Sequence, residues 1–88
     1  MPQVTEEERK RFHIILDDSI DKMNNPKNEK KEHWQNLTIQ KIQKMVNVEN
    51  AELESAVYDW NLPAEVETES FDMINLNLMI IDNMRGNN

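Results

Sequence analysis

A chain of 88 residues with one glycine and three prolines has few places to make a tight turn, and this scarcity constrains the fold more than any other feature. β-Sandwiches and barrels need a turn every few residues, so the pattern favours long helices instead. Lys, Glu, Gln, Met, Leu and Ile dominate the composition, which suits helices. The length allows one small domain, 1–88, whose modest core leaves self-association as a source of extra stability.

Hydrophobic spacing divides the chain into three helices. Thr5 followed by Glu8 makes a capping box, and Phe12, Ile15, Leu16, Ile20 and Met23 then recur at helical spacing, predicting an N-terminal helix within residues 1–26. Asn24, Asn25 and Pro26 end it. Residues 27–37 read as a connecting loop and hold the chain's only basic cluster. Thr38 is an N-cap candidate for a second helix, with Ile42, Met45, Val46, Leu53, Ala56, Val57 and Trp60 on one stripe. Asn61, Leu62 and Pro63 punctuate, and a third helix runs from near Pro63 to about Met84, with Gly86 as its stop. The short link makes residues 38–86 an antiparallel hairpin. The third helix is apolar nearly all round, so the expected architecture is an all-α, four-helix or larger bundle completed by a second copy, as a homodimer or homotetramer.

Two acidic pairs interrupt these apolar stripes. Glu49 and Glu52, then Glu69 and Asp72, are each spaced i, i+3, which aims two carboxylates at one point from one helix face. Glu49 falls at the centre of the second helix's stripe and Glu52 on its edge. An ionised carboxylate there costs several kcal/mol (on the order of 3–5) unless paired or metal-bound. Facing helices would form a four-carboxylate cage without a nearby lysine, and a hard divalent cation, Mg²⁺ or Mn²⁺, relieves its repulsion. Glu54, Glu65 and Glu67 read as solvated bystanders.

Other chemistries are excluded by composition. With 10 basic and 17 acidic residues the formal charge is −7, which disfavours binding a nucleic-acid polymer through its phosphates. There is no cysteine, and His13 and His33 alone make no zinc signature. No run approaches the length of a transmembrane helix and no secretory signal is visible, so no membrane partner and a cytoplasmic location are expected.

The segment from His33 to Gly86 resembles the MazG-like, all-α nucleoside triphosphate pyrophosphohydrolases, especially their short phage and bacterial forms. The first matching motif is Glu49-Asn50-Ala51-Glu52-Leu53, with Ala56 after it. The second is Glu69-Ser70-Phe71-Asp72-Met73-Ile74-Asn75, leading into an apolar helix. His33-Trp34 with Thr38 looks like the aromatic and hydroxyl residues that precede the second helix in the short forms. The resemblance implies that Glu49, Glu52, Glu69 and Asp72 hold Mg²⁺ and a nucleoside triphosphate. Water then attacks the α-phosphorus, giving monophosphate and pyrophosphate, and one of the four carboxylates could act as general base. Asn75 could bind a phosphate or sugar. The chain departs from larger members in that only Arg85 follows the second motif as a basic residue, leaving Lys30, Lys31, Lys41 and Lys44 to supply positive charge.

Plainer roles compete for several of these residues. His33 and Trp34 read first as a cap over the bundle, with stacking on a base as the alternative. Lys27 to Lys31 suits a solvated loop, Asn77 a buried residue fixing helix register, and the six methionines core filler. Two other functions also fit: a noncatalytic relative that sequesters a nucleotide, and an acidic helical module that docks a basic partner.

Overall fold

The computed structural model describes residues 1–60 and 62–86, the side chain of Trp60 excepted, so the expected stop at Asn61 and the burial of Trp60 lie outside the described residues. Three helices dominate: α1 (Glu6–Met23), α2 (Ile39–Ser55) and α3 (Pro63–Met84). No strand occurs among the described residues. α1 begins at the predicted capping box. The Glu8 amide donates to Thr5 Oγ1 at 3.1 Å, and the Thr5 amide donates to Glu8 Oε1 at 2.9 Å. The same contacts hold the Glu8 carboxyl below its usual range. Thr38 caps α2 by accepting from the Lys41 amide at 3.1 Å, and Pro63 occupies the first turn of α3. Gly86, at φ +79°, adopts the left-handed backbone that suits glycine just past a helix end.

Two expected elements differ. The second helix does not run unbroken to Trp60, because Ala56–Trp60 forms a wider π-helical turn that carries the chain towards α3. Residues 27–37 are not simply a loop: Pro26–Asn28 and Trp34–Asn36 form 3₁₀ turns. Side chains from α3 hold the second turn. Trp34 Nε1 donates to Asp82 Oδ2 at 2.9 Å, and Asn83 Nδ2 donates to the Trp34 carbonyl at 3.0 Å.

α2 and α3 form the main packed pair, and α1 crosses α3. Ile42, Ala56 and Leu76 are the buried apolar residues among those described. At the α1 crossing the buried residue is Ser19, small enough to let the backbones approach. Its carbonyl accepts from Asn75 Nδ2 at 2.8 Å. The predicted α1 stripe is only partly covered: Leu16 and Met23 are half-buried, while Phe12 is 54% exposed and Ile15 43%. Asn77, expected to be buried, is exposed. Residues two apart lie about 160° apart round a helix, so with Asn75 facing inward Asn77 faces out, and Asn75 and Asn83 are the buried amides.

Candidate metal centre

The antiparallel α2–α3 pair brings the two acidic motifs together. Glu49 from α2 and Glu69 and Asp72 from α3 each offer a carboxylate oxygen, and these oxygens lie within 4.8 Å of one another, all on half-buried side chains. One oxygen of Glu49 and one of Glu69 are shut off from solvent and lack a hydrogen-bond donor. Such orphaned atoms are costly, and either a shared proton or a cation supplies the missing partner.

Proton affinity reflects the crowding. Burial, then the contact with Glu69 and the charges of Asp72, Glu52 and Glu69, push the Glu49 carboxyl up from 4.5 to about 7. Burial also raises Glu69. The two carboxyls can share one proton near neutral pH, which resolves their unsatisfied oxygens when no cation is bound.

Glu52 stands apart from this trio. It is exposed and approaches Glu69 from the other side, across a groove of about 340 Å³ that Glu65 also lines. A step of three residues rotates the side chain about 60° round α2, which takes Glu52 to the edge of the stripe.

The cage does have a nearby lysine, contrary to the expectation from sequence. Lys22 Nζ donates to Asp72 Oδ1 at 3.0 Å and to the Thr68 carbonyl at 3.0 Å, so Asp72 already has a cationic partner. The residue lies fifty positions away in sequence, which is why no local pattern pairs it with the second motif. Its one signal was a charge three residues beyond Ser19, on the face of α1 that packs.

While Glu69 lines the smaller groove, two of the clustered carboxylates, Glu49 and Asp72, open onto a cavity of about 540 Å³. Glu49, Asp72 and Asn75 lie on its wall together with Lys22, Lys27 and Lys31, and with Trp34, Met45 and Met79. Lys30 lies outside this wall and is exposed, as are Lys41 and Lys44 on α2. His33 stacks on Trp34 with ring centroids 3.8 Å apart, and its Nδ1 accepts from the Gln35 amide at 3.2 Å. Asn75 is 6% exposed; its Nδ2 is engaged by Ser19, while its Oδ1 is buried without a partner. That amide can therefore accept a hydrogen bond from a ligand but has little left to donate to a phosphate. Comparison with protein families, curated proteins and solved structures gave no match.

Proposed function

We propose that this chain is a MazG-like, Mg²⁺-dependent nucleotide pyrophosphohydrolase that cleaves a ribo- or deoxyribonucleoside triphosphate to the monophosphate and pyrophosphate. One observation carries this: of three clustered carboxylates, two with orphaned oxygens, Glu49 and Asp72 share a cavity with three lysines and an aromatic side chain. An all-oxygen donor set suits Mg²⁺ or Mn²⁺, with Glu49, Glu69 and Asp72 as its ligands and Glu52 beside Glu69. When bound, the metal offsets triphosphate charge and acidifies bound water.

The chain's own residues supply the rest. Lys22 and Lys31 face the same cavity and would neutralise phosphate oxygens, Lys22 by moving from Asp72. Trp34 and His33 offer a stacked aromatic surface for a base, and Asn75 Oδ1 accepts from a sugar hydroxyl. Water attacks the α-phosphorus, the bond from that phosphorus to the bridging oxygen breaks, and pyrophosphate leaves. One of the four carboxylates, serving as general base instead of as a ligand, takes the proton that water releases.

The working unit is a cytoplasmic homodimer or homotetramer. No described helix is long and apolar enough to cross a membrane, which is consistent with a substrate met in solution. A panel of nucleoside triphosphates assayed for pyrophosphate with and without Mg²⁺ tests this activity. Mg²⁺-dependent release that Glu69→Gln abolishes supports it; nucleotide binding without turnover indicates a sequestering protein instead. Indifference to both metal and nucleotide leaves an acidic interaction module.

A further inference from the structure

We infer that Lys22 couples the two ligands of this site: its ammonium exchanges between Asp72 and a polyphosphate, so a divalent cation and a polyphosphate bind cooperatively. The exchange rests on the metal and phosphate assignments proposed above. Lys22 Nζ donates to Asp72 Oδ1 and to the Thr68 carbonyl, both at 3.0 Å, and this is the one ion pair among the described residues. The two side chains keep 24% and 35% of their exposure, so the contact can break without opening the core. Other bonds hold the end of α1 in place. Asn75 Nδ2 donates to the Ser19 carbonyl at 2.8 Å, and Asn28 Nδ2 donates to the Met23 carbonyl at 3.2 Å. With the backbone anchored on both sides, the ammonium swings alone on its flexible four-carbon stem.

One ammonium does not meet the needs of three carboxylates. Lys22 pairs with Asp72, while the orphaned oxygens of Glu49 and Glu69 have no donor. A divalent cation carries twice the charge and can take an oxygen from each of the three, which lie within 4.8 Å of one another. It would then share Asp72 with the Lys22 ammonium, and like charges that close repel. Lys22 and the cation therefore compete for one carboxylate.

The cavity decides where the displaced ammonium goes. Its wall sets three lysines against Glu29, Glu32, Glu49 and Asp72, so by formal charge the wall is negative and repels an anion. A divalent cation at Glu49 and Asp72 reverses that sign and leaves Lys22 free on the same wall. Each ligand thus removes an obstacle to the other. The cation frees Lys22 for phosphate oxygens, and a polyphosphate draws Lys22 off the carboxylate that the cation needs; linkage makes the two effects equal.

Calorimetry of the full chain with Mn²⁺ alone, and with inorganic pyrophosphate at saturating Mn²⁺, tests this without turnover, with helical circular dichroism as the check on folding. Lys22→Met should bind Mn²⁺ about fivefold tighter than wild type and pyrophosphate about fivefold weaker, the low end of coupling between sites because the ion pair is partly exposed. Lys22→Gln should do the same. Lys22→Arg keeps the charge and should stay near wild type for Mn²⁺. Lys31, on the same wall but outside that ion pair, is the control: Lys31→Met should weaken pyrophosphate and leave Mn²⁺ near wild type. Opposed signs at Lys22 mark the exchange, because a plain phosphate ligand would leave Mn²⁺ unchanged and a structural residue would weaken both when lost. Either of those two results overturns the exchange while the pyrophosphohydrolase reading stands. Opposed signs in a protein that hydrolyses no nucleotide uphold the exchange and overturn that activity, and a wild type that takes up no Mn²⁺ overturns both.

Discussion

Replacing Glu49 by Gln should stabilise the metal-free protein, although the residue sits at the centre of the candidate site. Burial and the neighbouring carboxylates raise Glu49 from 4.5 to about 7. The folded chain thus holds this proton more tightly than the unfolded chain does. The stability it contributes is fully present below about 4.5 and is lost as pH rises through about 7. At about 1.36 kcal/mol per pH unit that shift is worth roughly 3 kcal/mol. Solvent screening at a half-buried side chain reduces it to about 1–2 kcal/mol. Gln keeps the shape and cannot ionise, so at pH values above about 8 it should raise the melting temperature by roughly 4–16 °C, at about 4–8 °C per kcal/mol for a domain of this size. Below pH 4.5 the two proteins should melt together, because Glu49 is then protonated. Melts followed by circular dichroism in EDTA measure both. Mg²⁺ should reverse the order, since wild type gains about 2.7 kcal/mol at a hundred times its dissociation constant and the variant loses a ligand. An equal effect at both pH values, or a variant less stable at pH 8 without metal, would refute the crowded-carboxylate account.

Further outcomes follow from the contacts around the cavity. Lys22→Met removes the 3.0 Å ion pair to Asp72, so it should cost about 1 kcal/mol in metal-free urea unfolding and tighten Mn²⁺ binding measured by calorimetry. Asn75→Ala leaves the Ser19 carbonyl without its buried donor and should lower stability by about 1–3 kcal/mol in the same unfolding assay. Trp34→Phe keeps the ring but deletes the hydrogen bond to Asp82, so unfolding should become easier by about 1 kcal/mol. Nucleotide affinity in that variant should persist, because stacking survives the change.

Local chemistry was legible in the sequence where the interacting residues are close in the chain. Thr5 and Glu8 lie three apart, and the capping box formed as expected. Glu49 stood out because a carboxylate occupied the centre of an apolar stripe, and the short link after α2 then fixed its approach to Glu69 and Asp72. What stayed hidden depends on α1 and on the turns before α2. The partnership of Lys22 with Asp72 and the docking of Trp34 on Asp82 span about fifty residues, and no periodicity encodes them. Asn75 and Asn77 both sit among apolar residues that surround α3. Only the choice of which side meets Ser19 decides which one is buried.

The central claim, that this cavity directs water to the α-phosphorus of a nucleoside triphosphate, is tested most directly by turnover in ¹⁸O-water with Mg²⁺, followed by ³¹P NMR and mass spectrometry. The account predicts monophosphate and pyrophosphate as the products, with the label in the monophosphate alone, and no turnover in Glu69→Gln. Label in the pyrophosphate, release of orthophosphate from the γ-position, or intact triphosphate with the wild-type protein would contradict it.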